Sequence, residues 1–208
     1  MNGVIFDLDG TLIDSLADIA AAMNYSLRSV GMPQRSLAEY RDRVGEGARY
    51  LAERALPEGR GDLVEAVLDT YRSYYLDHAL DATRPYPGIA ELLAAISLPM
   101  AVVSNKPDAP TRQVVTALFP QVPFRWVAGQ RAGLPLKPDP YPAHEACERM
   151  GVAAAGCAFV GDTRIDVATA RAAGMTPIGV SWGFRPEELR PAGAEIVITA
   201  PAELLHWL

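Results

Sequence analysis

Two aspartates, Asp7 and Asp9, end the first apolar run of the chain and lie two residues apart. In an extended strand both carboxylates point the same way and repel each other. Because the carboxyl ends of parallel strands form the ligand crevice of an open sheet, function is expected here. The alternative is that Asp9 and Gly10 simply form a turn. A calcium loop fits less well, since Leu12 and Asp18 occupy its glycine and glutamate positions.

A second acidic pair, Asp162 and Asp166, follows the apolar run that ends at Gly161. A helix that begins near Thr163 would place both carboxylates at the same crevice, about one turn apart. Alternatively, Asp162 is the N-cap of that helix and Asp166 a first-turn residue favoured by the helix dipole, which explains this pair but not the first. Two converging acidic strand ends need a cation, and hard oxygen ligands favour Mg²⁺ over Zn²⁺.

Polar groups also follow two apolar runs that lie between the acidic pairs. Ser104, Asn105 and Lys106 offer a hydroxyl and backbone amides before a predicted helix, where amides bind anions. Lys137 adds an ammonium on a proline-rich loop, and it and Lys106 are the two lysines among 19 cationic residues. Each lysine alone is better explained as a solvated surface charge. Together, the groups at four strand ends predict a phosphate site.

The elements that would position these residues alternate between short apolar runs and helical patterns, which is typical of a parallel sheet flanked by helices. The runs suit strands buried on both faces. The predicted strands are residues 3–8, 100–104, 124–128, 157–161, 176–180 and 195–198. Between the first two, apolar residues recur at helical spacing over 15–30 and 63–76. We therefore predict an α/β fold with a helical insertion from about Asp14 to about Thr83.

The composition is that of an ordinary globular protein: 208 residues, a net charge of −6, 50% hydrophobic and 21% charged residues. Cys147 and Cys157 are interpreted as reduced core residues. No apolar run is long enough to span a membrane and no basic signal region opens the chain, so we expect a cytoplasmic location. A negative chain without a basic cluster argues against nucleic-acid and membrane partners.

Taken in order, these residues resemble the four motifs of the haloacid dehalogenase-like superfamily of phosphohydrolases. The motifs are Asp7-Leu8-Asp9-Gly10-Thr11-Leu12, Ser104-Asn105-Lys106, Lys137-Pro138, and Gly161-Asp162 with Asp166. The resemblance covers nearly the whole chain and implies a Rossmann-like core, residues 1–13 and 84–208, with an all-helical cap domain over residues 14–83. The second aspartate of the first motif implies a phosphatase or phosphomutase. Closer similarity is to the phosphoglycolate phosphatases, carried by residues 44–51, 87–88 and 105–107.

The resemblance implies a Mg²⁺-dependent phosphatase that forms a phosphoaspartate. Asp7 is then the nucleophile, and Asp9 is the general acid and later the general base. Asp7, the backbone carbonyl of Asp9, and Asp162 would hold the metal. Asp166 would orient a metal-bound water or Lys137.

The same resemblance implies how the phosphoryl group is held. Ser104, the Asn105 amide and Thr11, through its amide or hydroxyl, would bind phosphoryl oxygens. Lys137 would offset charge on Asp7 and on the transferring group. Lys106 either reaches the substrate or caps the strand end.

Residues 45–49 are expected to form a cap loop that dips toward the site. There Arg49 could pair with a substrate carboxylate such as that of 2-phosphoglycolate; the alternative is that Arg49 is a solvated charge in the first turn of a helix. A long cap leaves little room for a macromolecule, so the expected partner is a small phosphorylated metabolite. The oligomeric state is not predicted.

Other functions stay open on the sequence alone. One is a sugar-phosphate mutase, and another is a phosphatase for a different small phosphate: a sugar phosphate, a nucleotide or pyrophosphate. In a different class, a phosphoaspartate signalling or binding module would accept phosphate without turnover. Receiver modules of that type are about half this length and lack a helical insertion.

Overall fold

The computed structural model describes all 208 residues and contains an α/β fold built on one main sheet. The strands are β1 (Gly3–Phe6), β2 (Ile13–Asp14), β3 (Arg84–Pro85), β4 (Met100–Pro107), β5 (Trp126–Gln130), β6 (Cys157–Gly161), β7 (Thr176–Val180) and β8 (Ile196–Ile198). Six of them form a parallel sheet in the order β5, β4, β1, β6, β7, β8, while β2 and β3 pair separately. The predicted parallel α/β architecture is therefore confirmed.

The helices are α1 (Leu16–Ser29), α2 (Leu37–Arg41), α3 (Ala48–Ala55), α4 (Val64–His78), α5 (Ile89–Ala95), α6 (Asp108–Leu118), α7 (Tyr141–Met150) and α8 (Arg164–Ala172). Short 3-10 helices cover Gly61–Leu63, Ala154–Gly156, Pro186–Glu188 and Pro201–His206. No helix has both the length and the apolar character needed to cross a membrane.

Two strand ends next to the predicted site differ from expectation. β1 stops at Phe6, because the Leu8 carbonyl accepts the N–H groups of Leu12 and Ile13 and so turns the chain. β4 runs on to Pro107, so that the Ser104-Asn105-Lys106 triplet belongs to the strand and not to a loop after it. By contrast, β6 and β7 have the predicted bounds.

Side chains of the sheet alternate between two buried clusters, as the pleat of a strand requires. In β1, Val4 and Phe6 belong to the larger cluster and Ile5 to the smaller one. Helices α5 and α6 contribute to the larger cluster, whereas α7 and α8 contribute to the smaller one, which also holds the free thiols of Cys147 and Cys157. Both faces of the sheet are thus covered, which explains strands that are apolar throughout.

Helices α1 to α4 all lie between β2 and β3, and no strand interrupts them. β2 pairs with β3 through Ile13 with Pro85 and Asp14 with Arg84, so this segment leaves and rejoins the rest of the chain at one place. The predicted helices over 15–30 and 63–76 are α1 and α4, which pack against each other. The buried carboxylate of Asp18 also ties the two ends together, because it accepts the backbone N–H groups of Ala82 and Thr83.

Candidate active site

The central strand β1 and its neighbours β4 and β6 end at the same edge of the sheet. Asp7 follows β1, Asp162 follows β6, and Lys137 lies on the loop between β5 and α7. Lys137 Nζ is 2.8 Å from Asp7 Oδ1 and 2.7 Å from Asp166 Oδ1. The side chains of these three residues and of Asp162 are all buried. The structure thus joins members of both acidic pairs through one lysine.

Asp7, Asp162 and Asp166 form a cluster in which one carboxylate oxygen from each residue lies within 4.8 Å of the other two. Burial raises the pKa of Asp7 to about 7; Lys137 acts against this shift and the charge of Asp166 adds to it. Burial, together with the charges of Asp166 and Asp7, also holds the pKa of Asp162 well above its ordinary value. Burial alone would lower the pKa of Lys137, but the two neighbouring carboxylates outweigh it and raise that pKa.

This donor set fits a divalent cation. The cluster has three buried carboxylates, and its one ammonium, Lys137, pairs with two of them, so negative charge remains that a cation would neutralise. The donors are oxygens, which Mg²⁺ prefers, and neither a thiolate nor an imidazole belongs to the cluster.

The position of Asp162 depends on two glycines and on the loop after β7. Its Oδ1 accepts the Thr11 hydroxyl at 3.2 Å, and its Oδ2 accepts the Phe184 backbone N–H at 2.7 Å. A Cβ atom at Gly10 would lie 2.3 Å from Asp162 Oδ2, and one at Gly183 would lie 2.2 Å from Asp162 Cβ. Only glycine fits at either position, because these separations are far below van der Waals contact.

Asp166 connects the start of α8 to Lys137. Its Oδ2 accepts the backbone N–H and the hydroxyl of Thr163 at 3.0 and 2.9 Å, and its Oδ1 accepts Lys137 Nζ. Thr163 is the N-cap of α8, so the alternative that made Asp162 the N-cap is wrong. With both oxygens engaged, Asp166 is placed to orient Lys137.

Asp9 has different partners from Asp7. Its Oδ1 accepts the Ser15 hydroxyl at 2.5 Å and Lys106 Nζ at 2.8 Å. Lys106 Nζ also donates to the hydroxyl of Tyr75 in α4. Lys106 and Lys137 are only 7% and 4% exposed, so the alternative that they are solvated surface charges is wrong for both.

Asn105 ties the end of β4 to two other segments. Its Nδ2 donates to the carbonyls of Lys137 and Gly45 at 2.9 and 3.0 Å, and its Oδ1 accepts the Lys137 backbone N–H at 2.9 Å. The neighbouring Ser104 Oγ accepts the Lys106 backbone N–H at 3.2 Å. These bonds fix both predicted phosphate-binding residues at the crevice.

A small cavity lies over these groups, between the sheet edge and the helical segment. The sheet side contributes Asp7, Asp9, Ser104, Asn105, Lys106 and Pro107, and the helical side contributes Ile19, Val44, Gly45, Gly47, Ala48, Leu51 and Tyr71. As expected, the segment around Gly45 and Gly47 reaches the site. Lys106 is the one cationic residue on the lining.

The structure does not bring two of the predicted substrate-binding residues to this cavity. The Thr11 hydroxyl donates to Asp162, and its backbone N–H donates to the Leu8 carbonyl. Arg49 lies on the exposed face of α3, where it pairs with Glu65 of α4 at 2.5 Å. Its side chain is 53% exposed, in agreement with the alternative of a solvated charge in a first helical turn.

Some residues that build the site were missed from the sequence. Ser15 and Tyr75 contact Asp9 and Lys106, yet a serine before a helix and a tyrosine at helical apolar spacing indicate only a cap and a core position. In the loop after β7, Trp182 Nε1 donates to the Thr11 carbonyl and Phe184 holds Asp162. A glycine just after a buried strand, here Gly183, is the one signal of close backbone approach.

Comparisons with known proteins agree with this arrangement. The sequence pattern of one family, described as haloacid dehalogenase-like hydrolase, matches residues 4–180. A phosphoglycolate phosphatase from Neisseria meningitidis is 35% identical over 193 residues, covering 88% of this chain and 82% of the relative. Another, from Rhodospirillum rubrum, is 35% identical over 216 residues, with coverages of 99% and 90%. A solved structure from Haemophilus somnus, described as a predicted phosphoglycolate phosphatase, superimposes with a TM-score of 0.90 at 27% identity, over 100% of this chain and 97% of its own. The chain therefore belongs to the haloacid dehalogenase-like hydrolase family.

Proposed function

We propose that this protein is a Mg²⁺-dependent phosphatase that hydrolyses a small phosphomonoester through a phosphoaspartate on Asp7. The observation that carries the proposal is the pairing of a buried Asp7 with Lys137. Asp162 belongs to the same carboxylate cluster, and Asp9 lines the same cavity as Asp7. The phosphoglycolate phosphatases among its relatives favour 2-phosphoglycolate as the substrate.

The proposal includes a division of labour between two parts of the chain. Residues 1–13 and 84–208 act as the core that carries the chemistry, and residues 14–83 act as a helical cap that covers it. The antiparallel pair β2 and β3 lies where the core and the cap join. The cavity lies between the core and the cap. A cap of this kind excludes water from the phosphoryl transfer.

Asp7, Asp162 and the backbone carbonyl of Asp9 are the groups we assign to the metal. Asp166 is assigned to orienting Lys137 instead, because its Oδ1 accepts from the lysine ammonium and its Oδ2 accepts both the backbone N–H and the hydroxyl of Thr163. When bound, the metal would neutralise charge on the phosphoryl oxygens.

Each remaining step falls to a side chain of the site. The Asp7 carboxylate attacks phosphorus while Asp9 gives its proton to the departing ester oxygen. Asp9 then takes a proton from the water that attacks the phosphoaspartate, which releases phosphate and restores Asp7. Lys137 offsets negative charge throughout, and Ser104 and the Asn105 amide hold the phosphoryl oxygens.

Metal binding has a pH signature that does not depend on activity. In the metal-free protein the pKa of Asp7 rises from 3.8 to about 7, so the folded state binds protons more tightly than the unfolded state. Stability therefore falls as pH rises through that window, and a bound cation relieves the loss. We expect Mg²⁺ to raise Tm by several degrees at about pH 7.5 and by much less at about pH 5. Thermal melts with Mg²⁺ and with EDTA measure this.

Two variants control the thermal experiment. Asp162→Asn should remove most of the Mg²⁺-dependent rise in Tm, whereas Asp69→Asn, on the exposed face of α4, should keep it. Equal Mg²⁺ shifts at both pH values, or no shift at about pH 7.5, would contradict the metal assignment.

The substrate class is tested by phosphate release from a panel of esters with Mg²⁺. We expect 2-phosphoglycolate to give the highest kcat/KM, because the cavity is small and Lys106 offers one cation to a carboxylate. Sugar phosphates, nucleoside monophosphates and pyrophosphate should be poorer. A higher kcat/KM for one of these would mean that 2-phosphoglycolate is not the substrate. Transfer of the phosphoryl group to a sugar acceptor would identify a mutase, and the absence of any turnover would favour a phosphoaspartate signalling module.

Under the proposed function the protein binds a small phosphorylated metabolite, and neither a nucleic acid nor a membrane is an expected partner. The cytoplasmic location remains a prediction from the sequence.

A further inference from the structure

Tyr75 is a core residue of α4 whose polar end faces the active site. It is 1% exposed, and its ring stacks on that of Tyr71 at 5.2 Å between centroids. Its hydroxyl accepts a hydrogen bond from Lys106 Nζ at 2.5 Å, and the same ammonium lies 4.6 Å from the centroid of the Tyr75 ring. A buried tyrosine hydroxyl needs a partner, and here the partner is an ammonium that also binds Asp9.

Lys106 Nζ carries three N–H groups, of which one goes to Asp9 Oδ1 and one to Tyr75. A lysine side chain is a flexible four-carbon stem that can place its charge in many positions. Tyr75 restricts these positions, because both its hydroxyl and its ring attract the ammonium. The contact thus limits where Lys106 can meet Asp9.

The effect on Asp9 concerns its two oxygens. Oδ1 accepts from both Ser15 Oγ and Lys106 Nζ, which fills the hydrogen-bonding positions of that oxygen. Oδ2 has no partner among the protein groups, and Asp9 lines the cavity. A proton carried by Asp9 is therefore best placed on Oδ2.

We propose that Tyr75 is a positioning residue for proton transfer, which acts through Lys106 to keep Oδ1 of Asp9 occupied and Oδ2 free for the reacting oxygen. The inference rests on the proposed phosphatase function. In the first half, the Oδ2–H bond breaks as its proton passes to the ester oxygen, which leaves phosphorus with the bonding electrons. In the second half, Oδ2 takes a proton from water as the water oxygen bonds to phosphorus and the bond to Asp7 breaks. Lys106 keeps its own protons throughout.

The test uses Tyr75→Phe, which keeps the ring and removes the hydroxyl. An alkyl phosphate such as 2-phosphoglycolate needs a proton on its leaving oxygen, whereas p-nitrophenyl phosphate leaves as a stable anion without one. We expect kcat/KM to fall about tenfold for the alkyl ester and less than about twofold for the aryl ester. The ratio of kcat/KM for the alkyl ester to that for the aryl ester does not depend on the amount of active enzyme. Partial misfolding of the variant therefore does not change this ratio.

Tyr74→Phe is the matched control. Tyr74 lies on the same helix but stacks on Tyr25 and His78, away from the cavity, so its substitution should change neither value. Equal losses of kcat/KM on both esters after Tyr75→Phe, or no loss on either, would overturn the inference about Tyr75 without contradicting the proposed phosphatase function. If the wild-type protein hydrolysed neither ester, the proposed function would fail as well.

A double-mutant cycle tests the route of the effect. Lys106→Gln should lower the alkyl-to-aryl ratio by itself, and adding Tyr75→Phe should lower it no further, because the hydroxyl then has no ammonium to hold. An additional, independent drop in the double variant would show that Tyr75 does not act through Lys106.

Discussion

Asp7→Asn is expected to lower kcat at least about 1,000-fold while the protein stays folded, since removing the nucleophile of a covalent mechanism has effects of this size or larger. Asparagine has nearly the shape of aspartate, but its amide cannot form the acyl phosphate. Folding should survive, because the substitution removes one of three mutually repelling buried carboxylates and Lys137 keeps Asp166 as a partner. Phosphate release from 2-phosphoglycolate with Mg²⁺ measures the loss, and a thermal melt reports the fold.

The control for this experiment is Asp69→Asn, which makes the same chemical change at an exposed position of α4. It should leave kcat unchanged within about twofold, as surface substitutions away from special features usually do. Substantial turnover by a homogeneous Asp7→Asn preparation would mean that another group attacks phosphorus.

Lys137→Arg is expected to reduce kcat about 100-fold although the positive charge is kept, because losing one preorganised donor commonly costs this much. Lys137 Nζ lies 2.8 Å from Asp7 and 2.7 Å from Asp166, and Lys137 is only 4% exposed. A compact ammonium suits two carboxylates at this spacing, whereas a planar guanidinium needs more room and directs its donors differently. Steady-state kinetics on 2-phosphoglycolate measure the loss.

Arg112→Lys serves as the matched cation exchange, because Arg112 pairs with Asp108 in a half-exposed contact on α6. Its kinetics should match those of the wild type. If Lys137→Arg also matched the wild type, then only charge, and not the fit of an ammonium, would matter at this position.

Strands and helices that a local apolar pattern marks were predictable from the sequence. β6 is a fully buried, uninterrupted apolar run that ends in glycine, and the bounds of β6 and β7 agree with prediction. The apolar spacing over 15–30 and 63–76 also identified α1 and α4. Because the carboxyl ends of parallel strands lie at one edge of the sheet, polar residues that follow such strands are predicted to meet there. This predicted that Asp7, Asp162 and Lys137 lie close together.

What local pattern could not supply is the pairing of side chains far apart in the chain. Lys106 and Asp9 are 97 residues apart, so their ion pair follows from the packing of β4 beside β1 and not from either motif. Arg49 lies on the exposed face of α3 and pairs with Glu65 of α4, a contact set by how α3 packs on α4. In the same way, helical spacing marks Tyr75 as core without showing that its hydroxyl meets an active-site lysine.

As the nucleophile, Asp7 is expected to become phosphorylated during turnover. Borohydride reduces an acyl phosphate to an alcohol, so adding it to the enzyme during turnover of 2-phosphoglycolate with Mg²⁺ converts a phosphorylated aspartate to homoserine. Peptide mass spectrometry then identifies the position. We predict homoserine in place of Asp7 in the presence of substrate and none without substrate. Turnover with Asp7 left intact, or homoserine in place of Asp9, would contradict the account.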